Sequence, residues 1–265
     1  MGEHKERMQD RRDAVKTDWK LRDRSAEEAI AQHYDLLYYR TRFAKSLFMD
    51  FSRAVRGRAR RGAILDLGCG TGILCQLLES PSIEMFCLDF SEQMLKIAKT
   101  RCPQCIEGDV ESLPVKDSSF NVVCCHSMLH HLPKLSQTLS EAYRVLRSGG
   151  SLILEEPNSH HIRRNLFLRI LEFAFRRLGV ALYEDISNLE TDPGEHHGPI
   201  RLQGIVSAME KAGFTIDARG YRYYSSYILS CYDNAVAHAL GRLLDPLYLR
   251  RNGDGYMLLV IGKKP

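Results

Sequence analysis

The stretch ILDLGCGTG, residues 64 to 72, decides how this chain is read. A short apolar run ends in glycine at every second position, 68, 70 and 72. That pattern fits a buried strand running into a loop without Cβ atoms. Missing Cβ atoms permit left-handed turns and let backbone approach a ligand closely. The spacing is G-x-G-x-G, not the G-x-G-x-x-G of dinucleotide binders.

Working outward, strands and helices alternate. ILCQLLES (73–80) is expected to be helical, IEMFCLDF (83–90) a second strand, and SEQMLKIAK (91–99) a helix capped by Ser91. QCIEGD (104–109) is a weak third strand and FNVVCCHS (120–127) a strong fourth. LSQTLSEAYRVLR (135–147) is a helix, followed by a Gly-Gly turn and a fifth strand, GSLILEEP (150–157). Such alternation predicts an α/β fold with a parallel, doubly wound sheet. Upstream, 26–55 shows helical spacing throughout, and RGRARRG (56–62) is read as a solvated linker. Downstream, QGIVSAMEKAGF and SCYDNAVAHALGRLLDPL are helical, while FTIDARGYRYYS and YMLLVIGKK are strands. The chain divides into a charged leader with cap helices (1–56), a core (57–157), an insertion (158–200) and the end of the core (201–265).

Two carboxylates give the glycine loop a ligand. Asp89 ends the second strand about twenty residues past the loop, where it can accept both hydroxyls of a ribose. Asp109 follows the third strand, placed to accept from an adenine amino group.

Composition sets bounds. A net charge of +4 over 265 residues is short of a dedicated nucleic-acid binder. Residues 1–24 are charged with no apolar h-region, so the eight cysteines are read as reduced thiols of a cytoplasmic protein. Cys102-Pro-Gln-Cys105 is the one C-x-x-C, and no metal site is read from it or from the histidines.

ILDLGCGTG, CLDFS, EGDVESLPV, FNVVCCHSMLHHL and EAYRVLRSGGSLILEEP, in that order, resemble class I S-adenosylmethionine-dependent methyltransferases. The likeness is greatest to the group containing the ubiquinone and menaquinone biosynthesis methyltransferases. It implies a Rossmann-like, seven-stranded sheet whose last strand is antiparallel, and S-adenosylmethionine as cofactor with S-adenosylhomocysteine as product. It places Asp66 and the loop Gly68, Cys69, Gly70, Thr71 and Gly72 at the amino-acid end of the cofactor. Asp89, Phe90 and Met94 would serve the ribose and adenine, and Asp109, Val110 and Glu111 the adenine edge. His126, Ser127 and His131 would lie near the methionine portion. Tyr34 and Tyr38, in AQHYDLLYY, would close over the site.

Methyl transfer from a sulfonium is an in-line displacement, and a base helps when the acceptor atom carries a proton. His126, His130, His131, Glu155, Glu156, His196 and His197 are the candidate bases, with His126, Glu155, His196 and His197 preferred. The motif [N/D]-P-P-[Y/F] of amino-methylating nucleic-acid enzymes is absent, and HSMLHH stands where it would fall. The expectation is a methyltransferase for a small, apolar or lipid-like acceptor, with oxygen favoured over nitrogen or carbon. An RNA or protein methyltransferase and a non-catalytic cofactor-binding protein are the alternatives. Thirteen of the twenty-one residues in 162–182 are apolar and five are arginine. Three readings stay open for this segment: a lid over the site, a helix resting on a membrane surface, or a homodimer interface.

Overall fold

Buried, β-branched and cysteine-rich strands form the centre of the sheet because only a strand covered on both faces can be apolar at every position. β1 (Gly62–Leu67) and β4 (Phe120–His126) are of this kind. The computed structural model describes residues 24–158, 200–223, 225–252 and 255–265. Its other strands are β2 (Ile83–Asp89), β3 (Gln104–Glu107), β5 (Leu146–Pro157), β6 (Thr215–Arg222) and β7 (Met257–Lys263). They form one seven-stranded sheet in the order β3-β2-β1-β4-β5-β7-β6. β7 is antiparallel to both β5 and β6, and the pairings among β1 to β5 are parallel. Chain direction across the sheet reverses between β1 and β4. Ligands of open α/β sheets bind outside the strands' carboxyl ends at such a switch point.

The helices are α1 (Tyr34–Tyr38), α2 (Arg42–Arg56), α3 (Ile73–Leu78), α4 (Glu92–Ala98), α5 (Ser136–Val145), α6 (Leu202–Lys211), α7 (Ser225–Ile228) and α8 (Ala235–Asn252). One face of the sheet buries Leu139, Ala142 and Val145 of α5 with Ile205, Val206 and Met209 of α6. The other buries Phe51 and Val55 of α2 with Leu74, Cys75 and Leu78 of α3. A third cluster joins Phe43 and Leu47 of α2 to Tyr223, Tyr227, Tyr256 and Met257.

Three expectations need correction. The helical run 26–55 is broken at Tyr39–Thr41, because Thr41 is extended and its hydroxyl accepts from Ala44 N, starting α2 afresh. The Gly-Gly pair does not precede the fifth strand but lies within it, with Gly149 at φ +77° beside a register shift against β4. Helix α8 starts at Ala235, where Asn234 Oδ1 accepts from Ala237 N, and continues past Pro246 to Asn252. RGRARRG is also less free than a linker: Arg58 pairs with Asp217, Arg56 donates to Leu77 O, and Ala59 is buried. Ser91 caps α4 as expected, accepting from Met94 N. Residues 162–182, with most of the insertion, lie outside the described residues, as do His196 and His197. Among the described residues no helix is long and apolar enough to cross a membrane.

Candidate active site

The glycine loop leaves β1 with Gly68, Gly70 and Gly72 at φ of +66°, +52° and +78°. Each is in the left-handed region that costs an L-residue strain, so the sequence pattern is a conformational requirement. Gly68 also has no room: a Cβ there would lie 2.4 Å from Met128 Cγ. The amides of Gly68 and Cys69 both donate to Leu88 O, tying the loop to the end of β2.

Asp89 completes that tie. Its Oδ2 accepts from Gly70 N at 2.8 Å and its Oδ1 from Ser91 N at 2.9 Å. Burial pushes its carboxyl above the usual range, while the Ser91, Gly70 and Phe90 amides and nearby His131 act in the opposite sense. Each oxygen retains a lone pair, which is the acceptor pattern a vicinal diol requires. Asp66, one strand over, is buried and its carboxyl is pushed up to about 8, chiefly by loss of water. Asp109 folds back on its own turn, accepting from Glu111 N at 2.9 Å, so Val110 and Glu111 are held in place after β3.

The cap segment lies over the loop. The Tyr34 ring is 3.7 Å from where a Gly70 Cβ would stand, and it packs on Tyr38 with centroids 4.7 Å apart. Asp35, between them, accepts from Thr71 Oγ1 at 2.6 Å and pairs with Arg101, which donates to Thr71 O at 2.9 Å. Tyr34, Phe48, Asp66, Gly68, Cys69, Thr71, Ile73, Leu74 and His126 line one cleft. Phe90 is half-buried at the end of β2, and the Met94 side chain is core beneath α4.

The two glutamates ending β5 diverge, as successive strand residues must. Glu156 accepts from Met128 N, Leu129 N and His130 Nδ1 at 2.9, 2.8 and 2.8 Å. Burial alone would raise its carboxyl, but the His130 bond and charge and the two amides outweigh that and lower it. Glu156 therefore builds the turn after β4, and His130 and His131, with rings 4.3 Å apart, belong to that turn. Glu155 is fully buried and accepts from Arg222 at 2.7 Å through Oε1. Its Oε2 stands 3.4 Å from His126 Nε2, yet neither atom has a hydrogen-bond partner of good geometry among the described residues. The His126 ring is held between Phe48 and Phe51 at 4.5 and 5.0 Å. Ser127 beside it sits at φ +54°, a strained conformation for a non-glycine, with its amide on Glu155 O.

The structure thus brings Tyr34, Asp66, the glycine loop and His126 to one cleft, with Asp89 locked behind the loop. Phe48, Asp35, Arg101 and Arg222 were not singled out from the sequence. Phe48 carried a signal, being one helical turn from Phe51. Arg222 carried none, because its partner is 67 residues away.

A glycine-lined approach at the switch point, a buried carboxylate ending β2 and a second carboxylate after β3 define a nucleoside-binding α/β fold of the methyltransferase kind. Comparison with known proteins agrees. The family described as "Methyltransferase domain" matches residues 65–154. Demethylmenaquinone methyltransferase of Lactiplantibacillus plantarum is 30% identical over 174 residues, spanning 59% of this chain and 71% of that protein. Among solved structures, a SAM-dependent methyltransferase from Thermotoga maritima shares the fold at a TM-score of 0.60 and 20% identity, covering 91% of this chain and 99% of its own. Geranyl diphosphate C-methyltransferase from Streptomyces coelicolor, solved with S-adenosyl-L-homocysteine, shares it at 0.55 and 11% identity, covering 84% and 80%. The chain belongs to the class I S-adenosylmethionine-dependent methyltransferases.

Proposed function

We propose that this enzyme methylates a small, apolar or lipid-like acceptor bearing an acidic hydroxyl, with His126 as the base. The observation that carries the base assignment is the pair His126 Nε2 and Glu155 Oε2, both buried, 3.4 Å apart at the cleft and without a hydrogen-bond partner among the described residues. Unmet polar capacity inside a protein calls for a functional reason. The acceptor class is supported by the apolar walls, Phe48, Ile73 and Leu74 with Tyr34, and by relatives named for demethylmenaquinone.

The cofactor, when bound, supplies a methyl group on a sulfonium. Asp89 would hold its ribose, Asp109 and Val110 its adenine, and Asp66 with the glycine loop its amino-acid end. His126 is ordered by Phe48 and Phe51, and Glu155 favours the tautomer with the proton on Nε2. That leaves Nδ1 to take the acceptor's proton. The acceptor oxygen, freed of its proton, forms the new bond to the methyl carbon as the carbon–sulfur bond breaks. For a phenolic acceptor the same deprotonation activates the ring carbon ortho to the oxygen, so analysis of the product distinguishes the two atoms. Arg222, 2.7 Å from Glu155 Oε1, holds that carboxyl in position. Tyr34, which lines the cleft with Tyr38 packed on it, would shield the site from water and could offer the sulfonium a π face, worth about 0.5–2 kcal/mol.

The test is a methyl-transfer assay on quinol and phenolic lipids alongside small polar phenols, RNA and protein. Incorporation into the lipid fraction, lost on His126→Asn with S-adenosylhomocysteine binding retained, is the expected result. Incorporation only into RNA or protein would overturn the acceptor class, and full activity of His126→Asn would overturn the base.

A further inference from the structure

Beneath the glycine loop, on the face away from α5 and α6, the fold gathers cysteines that play no part in methyl transfer. Cys75 lies on α3, Cys87 on β2 and Cys102 just before β3, all buried. Their sulfur atoms are all within 4.8 Å of one another, and none is in a disulfide. A helix, the strand after it and the loop before β3 thus bring thiols to one point. Cys105 pairs across the sheet with Cys87, and its thiol donates to Cys102 O at 3.2 Å. Cys69, in the glycine loop, donates to Gly70 O at 3.6 Å. Both are half-buried.

Distances and chemistry limit what this cluster can hold. Sulfurs around a zinc ion at about 2.3 Å stand roughly 3.8 Å apart, so the observed triangle needs to contract by less than about 1 Å. An all-sulfur ligand set excludes hard cations such as Mg²⁺ and Ca²⁺ and selects soft d¹⁰ ions. Without an ion the thiols are not idle. Cys75 donates to Arg101 O at 3.4 Å and Cys102 to Met85 O at 3.3 Å, the bonds of neutral S–H groups. Binding must therefore displace protons: M²⁺ and three thiols give a tris-thiolate complex of charge −1 and three H⁺.

We propose that Cys75, Cys87 and Cys102 form a binding site for a thiophilic d¹⁰ cation, for which Zn²⁺ is the probe. The site would clamp α3, β2 and the approach to β3 together. Cys75 follows Gly72 by three residues and Cys87 precedes Asp89 by two, so the clamp lies directly behind the cofactor loop.

The experiment uses the full chain, reduced with a phosphine and stripped with a chelator. Zn²⁺ is titrated against a chromophoric competitor, and Co²⁺ is added in parallel. Expected are one equivalent of Zn²⁺ per chain, released protons, and a thiolate-to-cobalt charge-transfer band. Cys75→Ser and Cys102→Ser should each weaken Zn²⁺ by more than about tenfold, with folding checked by S-adenosylhomocysteine binding. Should a variant fail to fold, the cobalt spectrum of the unmodified chain decides alone, since its intensity counts thiolates. No stoichiometric binding, a cobalt spectrum without the charge-transfer band, or binding unchanged in both serine variants would each overturn the proposal.

Discussion

The roles proposed for His126 and Asp89, about 40 residues apart in sequence, belong to different steps, so their variants should separate. His126→Asn keeps the ring's position polar but cannot take a proton. It should lower turnover by about 10²–10⁴-fold while S-adenosylhomocysteine affinity, measured by calorimetry, stays near that of the unmodified enzyme. Asp89→Ala should abolish that binding altogether, because it removes the diol acceptor and the anchor of the Gly70 amide together; calorimetry that still shows tight binding would refute the assignment. Asp66 gives a pH signature. Its folded pKa of about 8 lies above the ordinary value of 3.8, so between these the folded state holds a proton that the unfolded state releases. Stability then falls as pH rises from about 4 to about 8 and levels off above. Asp66→Asn should flatten that slope in denaturant midpoints taken at pH 5 and pH 8. Asp66, Asp89 and the three glycines were legible from sequence because each ends a strand or fills a left-handed position. The division of labour between Glu155 and Glu156 was not, since adjacent letters do not say which face each side chain takes.

At the scale of elements, one carboxylate often holds a whole segment. Glu156 satisfies two amides and a histidine in the turn after β4. Glu156→Ala would leave two buried donors unmet, costing about 2–4 kcal/mol in chemical denaturation. In the unmodified chain the lowered Glu156 pKa means this contribution is full above pH 4.5 and is lost as pH falls through the folded value. The cap helix α2 depends on Asp50 in the same way. Asp50 accepts from Tyr223 at 2.9 Å and from Arg53 at 2.5 Å, and it pairs with Arg242 and, at 3.7 Å, with Arg222. Asp50→Ala should cost about 2–3 kcal/mol, the low end for a buried pair because Arg242 and Arg222 remain partly solvated. A shift below about 0.5 kcal/mol in urea unfolding would show that the aromatic cluster alone seats the helix. Helical spacing announced α2, but its true start at Thr41 was hidden because the apolar rhythm runs unbroken through the cap.

The whole molecule was legible where the chain obeys short-range rules and opaque where distant segments meet. Alternating strands and helices from 62 to 157 gave the parallel half of the sheet in order. The antiparallel last strand was supplied by resemblance, but its place between β5 and β6 was not legible, because nothing in YMLLVIGKK states its neighbours. The same division has a consequence during synthesis. Residues 62–157 supply five strands, the glycine loop, Asp89 and His126, so the cofactor half of the enzyme can assemble while the chain is still being made. The wall of the cleft that carries Phe48 belongs to α2, made earlier still, yet its Asp50 waits for Arg222, Tyr223 and Arg242, up to 192 residues later. A nascent chain would therefore acquire the glycine loop and Asp89 well before Arg242 of α8 arrives to seat the helix that carries Phe48.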